Sequence, residues 1–144
     1  KKRRVGAVRN DGSSNFLPFV EEGNLVKYSW EYGVLSVGRS TTPSILSCAA
    51  YIPPTSRRGL FFTLLNPQHN AAAAFLGTIK TAGVSGEVRA VEITVPVANT
   101  QMQTNSHVMC DTNSSQQIEW WLNILPSTSS TGLYISVSGY YDRI

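Results

Sequence analysis

The sequence predicts an all-β fold, a single-domain antiparallel sandwich of jelly-roll type with one short helix. Seven or eight segments have strand-like patterns and are separated by polar turns rich in Ser, Thr, Asn and Gly. Charged residues make up only 15% of the 144 residues, and hydrophobic residues make up 42%, which is enough for one substantial core. Two packed antiparallel sheets satisfy such a pattern.

A basic arm and linker is predicted over residues 1–15, followed by the jelly-roll domain over 16–144. The arm places five positive charges within nine residues: Lys1, Lys2, Arg3, Arg4 and Arg9. From residue 10 onward, seven Lys and Arg stand against nine Asp and Glu, a net charge of −2. Blocks of like charge often bind nucleic acid, through salt-sensitive phosphate contacts. A solubilising tail or a nuclear import signal in residues 1–4 is the alternative interpretation.

The first half of the domain carries four predicted strands: residues 16–20, 24–37, 44–52 and 59–65. Pro18 cannot donate to a strand ladder, so the first of these suits a sheet edge. Pro53 and Pro54 end the third. The fourth is almost entirely apolar, and we expect it to be buried on both faces.

The one predicted helix covers residues 67–76. Four consecutive alanines are strong helix formers, Asn66 can cap the first turn, and Pro67 suits the first helical position.

The second half carries predicted strands at residues 86–95, 106–110 and 117–125, and a last one that starts at Leu133. In the last strand Leu133, Ile135 and Val137 alternate with polar or aromatic residues, which gives it one apolar face. Its Gly132 start, its alternating body and its terminal residues 140–144 suit a strand that completes a sheet and offers its end to a neighbouring subunit.

No catalytic motif is present, so the sequence predicts that the protein is not an enzyme. His69 and His107 lie in no motif, and a regular strand would place His107 and Cys110 on opposite faces. Cys48 and Cys110 are expected to be free, buried thiols, with one disulfide as the alternative. No apolar run of 18 residues occurs, so no membrane partner is predicted.

No cofactor and no metal site are predicted. An inter-subunit calcium site at Asp111 and Asn113 is the alternative, because calcium takes oxygen ligands. Trp120 and Trp121 are adjacent in one predicted strand and point to opposite faces, so we expect one in the core and the other at a subunit interface or on the inner surface of an assembly. Aromatic residues could instead form a stacking platform for sugars or bases: Trp30, Tyr32, Trp120, Trp121, Tyr140 and Tyr141. The alternative function is therefore a non-enzymatic β-sandwich that binds carbohydrate or a receptor.

Three stretches resemble the shell domains of small icosahedral positive-strand RNA viruses of plants, of the sobemovirus, tombusvirus and luteovirus type. Residues 44–53 resemble their third strand, and residues 55–64 resemble the Gly-led apolar strand that follows it. Residues 129–138 are similar to their closing strand.

This resemblance implies a coat protein in which identical subunits assemble into an icosahedral shell around genomic single-stranded RNA. Residues 16–144 would be the shell domain, and the arm would face the RNA. The implied locations are the virion and the host cytoplasm. The chain is shorter than such shell domains usually are and has no projecting domain, which favours a satellite-type virus, a minimal capsid or a trimmed form of a longer chain. The residues that we assign to subunit interfaces are Trp30, Arg57, Arg58, Trp120, Trp121, Tyr140 and Tyr141.

Overall fold

The computed structural model describes residues 7–86 and 88–142. Within these ranges the chain is all-β and contains no helix. The strands are β1 (Phe19–Glu22), β2 (Leu25–Gly38), β3 (Ser44–Ser47), β4 (Arg58–Leu65), β5 (Ala73–Thr81), β6 (Val88–Val95), β7 (Thr104–Asp111), β8 (Gln117–Leu122) and β9 (Leu133–Tyr141).

The strands form two antiparallel sheets that pack face to face as a β-sandwich. The five-stranded sheet has the order β1-β2-β9-β4-β7, and the four-stranded sheet has the order β3-β8-β5-β6. Every pair of neighbouring strands is antiparallel. The predicted sandwich of antiparallel sheets is therefore confirmed.

Four of the strand pairings are nested inside one another. The strands β5 and β6 follow each other in sequence and form the innermost pair. Around them lie the pairs β4–β7, β3–β8 and β2–β9. Successive pairs alternate between the two sheets, as expected when one long antiparallel double strand folds over on itself.

The core lies between the sheets and depends on the alternation of each strand. In β9, Leu133, Ile135 and Val137 are fully buried, as their period-two pattern predicts. β4 differs from its prediction, because only alternate residues such as Phe61 and Leu65 are fully buried. Its other face is half-buried and points away from the core. Full burial of one such large apolar side chain contributes about 1.5–3 kcal/mol.

The prediction of a helix over residues 67–76 is wrong. The second half of that stretch is the start of β5, which pairs with β6 on one side and β8 on the other. Residues 73–76 pair with β6, and on their other side the Asn123 side chain accepts the Leu76 N–H and donates to the Ala74 carbonyl. Phe75 is fully buried. Helix propensity favours alanine by only a few tenths of a kcal/mol over most residues, so tertiary pairing prevails. Among the described residues no helix could span a membrane.

Strand boundaries also differ from the sequence pattern. The strand predicted over 44–52 ends at Ser47, because the Cys48 carbonyl accepts the N–H groups of Tyr51 and Ile52 and turns the chain. That turn places both Cys48 and Ile52 in the core with 0% exposure. The first strand starts only after Pro18, at Phe19, and the strand around 106–110 extends over all of β7.

Cys48 and Cys110 are free, buried thiols, as the sequence predicts. Burial raises the pKa of the Cys48 thiol to about 12 and the pKa of the Cys110 thiol to about 11. Because the thiolate is the nucleophile, we expect iodoacetamide at about pH 8 to leave both unmodified in the native protein. Mass spectrometry should show two modified cysteines only after denaturation. Rapid alkylation of the folded chain would contradict this placement.

Candidate nucleic-acid arm and surface sites

The arm joins the sandwich at the end where β9 finishes and β4 begins. The Ala7 N–H donates to the Asp142 carboxylate, with 2.7 Å between N and Oδ2. The Tyr140 hydroxyl donates to the Ala7 carbonyl. Tyr140 is fully buried and Asp142 is 3% exposed, so both partners belong to the folded domain. The backbone directly after the basic cluster is therefore fixed.

Arg9 is part of this junction. Its backbone carbonyl accepts the Leu17 N–H at 2.9 Å, and its Nε donates to the Ala50 carbonyl at 3.2 Å. Leu17 is 5% exposed and packs in the core, which secures the far end of the linker. The other four arm residues, Lys1, Lys2, Arg3 and Arg4, lie outside the described residues.

The linker between Arg9 and Leu17 is a closed turn. Asn10 and Phe16 form a β-bridge, and the Asp11 carboxylate accepts the backbone N–H groups of Ser13 and Asn15. These hydrogen bonds, that from Ser13 foremost, hold the pKa of the Asp11 carboxyl below its usual range. This part of the predicted linker is thus a defined loop.

The seven predicted interface residues do not form one surface. Trp120 is 6% exposed and Tyr140 is 0% exposed, so both are core residues and offer no surface to a second subunit. Trp120 is accommodated because Gly38 leaves room for its ring; a Cβ there would lie 2.8 Å from Trp120. Tyr140 turns inward because β9 is irregular at Ser138, which shifts its alternation by one residue.

Trp121 lies on the outer face of the four-stranded sheet, opposite to Trp120, as predicted. The Lys80 ammonium lies 5.9 Å from the centre of the Trp121 ring and pairs with Glu119 at 3.0 Å. The Gly83 N–H also donates to Glu119, and these contacts hold the pKa of the Glu119 carboxyl below its usual range. Trp121 is half-buried within this cluster.

Arg57 and Arg58 lie near the point where the arm joins the sandwich. Both side chains contact residues of their own chain. The Arg58 Nε contacts Asp111 Oδ1 at 2.7 Å, and the Arg57 Nη1 donates to the Asn113 carbonyl at 3.0 Å. Tyr141 is half-buried and pairs with Arg58 across the β4–β9 ladder.

The two residues considered for calcium already have partners. Both Asp111 carboxylate oxygens face the Arg58 guanidinium, at 2.7 and 3.4 Å. The Asn113 Oδ1 accepts the N–H groups of Ser115 and Gln117, each at 2.9 Å. In the described parts of the chain, no group of three or more His, Cys, Asp or Glu residues is arranged to hold a metal ion.

The histidines have different surroundings. His69 Nδ1 lies 2.8 Å from the Ser127 hydroxyl, which also accepts the Asn70 N–H, so the pair joins two loops. His107 is exposed and pairs with Glu31 at 3.3 Å across the outer face of the five-stranded sheet. Cys110 faces the core from the opposite side of β7, as predicted.

Sequence reasoning missed several exposed apolar side chains and one irregular region. Exposure exceeds 60% for Phe16, Ile45 and Val97. The sequence also contains no indication of the register shift opposite Ser138. The residues of β2 in this region alternate as they would in a regular strand.

No known family model matches this chain, and no curated protein matches it.

Proposed function

We propose that the chain is the subunit of a viral coat, with a jelly-roll shell domain and a basic arm that packages RNA. The jelly-roll assignment is supported by the nested pairs β2–β9, β3–β8, β4–β7 and β5–β6, which alternate between two sheets. Two four-stranded halves of this kind, with β1 added at one edge, are the arrangement expected of an eight-stranded jelly roll.

The observation that carries the proposal is the fixed junction between the basic cluster and the sandwich. Tyr140 and Asp142 hold the backbone of Ala7 at one end of the domain. A segment that only improves solubility needs no such attachment. A segment that presents positive charge to RNA gains from it, because every subunit then offers its charges from the same position.

The outer face of the five-stranded sheet supports contact between identical subunits. Leu60, Phe62 and Leu64 are half-buried on this face, and the neighbouring Met109 is 50% exposed. Apolar side chains that stay partly exposed on one face of a sheet are available for contact with a second subunit.

Particle formation tests the proposal. The purified protein, examined by light scattering and electron microscopy, is expected to form uniform particles that protect RNA from nuclease. A monomer at all salt concentrations and pH values would overturn the assembly part of the proposal, and particles without protected RNA would overturn the packaging part.

A variant of the arm tests its role directly. Replacement of Lys1, Lys2, Arg3 and Arg4 by glutamine is expected to abolish most RNA protection. Each phosphate contact contributes about 0.7 to the slope of log K against log salt for single strands, so the slope should become shallower by about 3. Filter binding at several salt concentrations measures this slope.

Lys27→Gln is the matched control, because it removes an exposed positive charge from the sandwich. It should leave the slope unchanged, and the melting temperature of both variants should equal that of the parent. Equal losses of RNA binding in the two variants would show that the arm has no special role.

A further inference from the structure

The strands β2 and β9 lose register at one place. Lys27 pairs with Gly139 and Tyr32 pairs with Val137, so four residues of β2 lie opposite the single residue Ser138. On the other side of β9, the pairing with β4 also passes over Ser138: Leu60 pairs with Gly139, and Phe61 pairs with Val137. Such bulges re-aim side chains and often border binding sites.

The bulge borders a cleft on the outer side of the five-stranded sheet. The cleft has a volume of about 460 Å³, and Trp30 at its edge is 64% exposed. Glu31 and His107 pair at 3.3 Å on its wall, and each is about half exposed. The residues that line it are Lys27, Tyr28, Ser29, Trp30, Glu31, His107 and Ser138.

Ser138 provides an independent observation. The residue is 3% exposed, and its hydroxyl has no hydrogen-bond partner among the described residues. Burial of a hydroxyl without a partner is costly, and native structures contain few such groups. Ser138 lines the cleft, but its hydroxyl oxygen is closed to water-sized molecules in this structure. A ligand hydroxyl or a water can therefore become its partner only when the neighbouring side chains that cover it move.

We propose that this cleft binds a neutral pyranose sugar. The flat C–H face of a pyranose packs on an aromatic ring, which Trp30 presents to solvent. Its hydroxyl groups can donate to Glu31 and exchange hydrogen bonds with His107 and, once the side chains that cover it move, with Ser138.

Charge distinguishes a sugar from the other ligand that stacks on tryptophan, a nucleic-acid base. Lys27 and Glu31 cancel, so the cleft lacks the excess positive charge that a phosphate backbone requires. A neutral, hydroxyl-rich ligand fits this balance. The inference does not depend on the basic arm. Because the proposed subunit contact lies on the same face of the sheet, the cleft is tested on the unassembled chain.

Saturation-transfer NMR tests the proposal, since it detects weak ligands on a single chain and on large particles alike. The probes are the methyl glycosides of glucose, galactose, mannose and N-acetylglucosamine. For at least one, transfer is expected mainly to the C–H protons of one sugar face. Trp30→Ala should weaken its binding about tenfold or more, whereas Phe16→Ala, which removes an equally exposed aromatic ring elsewhere, should leave binding unchanged.

Ser138→Ala separates a binding role from a structural one. It should weaken sugar binding about threefold while leaving the melting temperature unchanged or slightly higher, because it removes an unsatisfied hydroxyl. A lowered melting temperature would contradict the assignment of Ser138 to the site.

The whole proposal is wrong if none of the four glycosides receives saturation, or if Trp30→Ala has no effect. It is also wrong if a short single-stranded RNA binds through Trp30 and the glycosides do not.

Discussion

Replacement of Gly139 by alanine is expected to lower the free energy of unfolding by about 3 kcal/mol. A Cβ at this position would lie 2.3 Å from the Val26 carbonyl oxygen and 3.1 Å from the Lys27 Cα. Both atoms belong to the backbone of β2, so no side-chain rotation can relieve the clash. The strands β2 and β9 would have to separate where they pair, and urea denaturation followed by circular dichroism should detect the loss.

Gly33→Ala is the matched control for this prediction. Gly33 lies on the same strand pair, but a Cβ there would come no closer than 4.0 Å, to the Ser136 hydroxyl. We expect its free energy of unfolding to change by less than about 1 kcal/mol. There is no clash to lower it, and alanine loses less conformational entropy on folding than glycine does. If both variants lose the same stability, the close approach of β2 to β9 does not explain the effect.

Replacement of Arg39 by methionine is expected to cost about 3 kcal/mol. Arg39 follows β2, and its guanidinium donates to three carbonyls of the loop that connects β8 and β9. The acceptors are Pro126 at 2.7 Å, Thr131 at 2.8 Å and Thr128. Methionine keeps the aliphatic length but leaves these partly buried carbonyls without their donor. Thermal and urea denaturation measure the change.

Two further variants give this prediction its controls. Arg39→Lys should recover only part of the lost stability, because one ammonium cannot span acceptors that a planar guanidinium reaches together. Arg58→Met should cost at most about 1 kcal/mol, since the Arg58–Asp111 pair is about half exposed. A full recovery with lysine would mean that charge alone, rather than the fork of donors, holds the loop.

Period-two patterns made much of the sandwich predictable. The alternation in β9 correctly identified its buried face, and the adjacent Trp120 and Trp121 correctly predicted one core and one outer residue. Such patterns report a local property, the side on which a residue lies, and each sheet here buries one face. The same patterns failed for Tyr140, because a one-residue irregularity at Ser138 reverses the phase that alternation assumes.

Long-range pairing explains the other errors. The alanines before Phe75 favour a helix locally, yet β5 lies between two partner strands that are supplied by later parts of the chain. No local signal reveals that competition. The hydrogen bonds that fix Ala7 likewise come from residues more than 130 positions away in sequence. The basic cluster was visible in the sequence, but its point of attachment was not.

The nested order of strands also constrains how the molecule can fold. Partners in β2 and β9 are separated by 95 residues at Gly38–Leu133 and by 116 at Leu25–Tyr141. Since β9 lies between β2 and β4, both of those strands keep an open edge until residues 133–141 have been synthesised and inserted. Contacts over such distances place folding in the slow, millisecond-to-second range of β-rich domains. The newly made chain is therefore most vulnerable to aggregation just before its final strand docks.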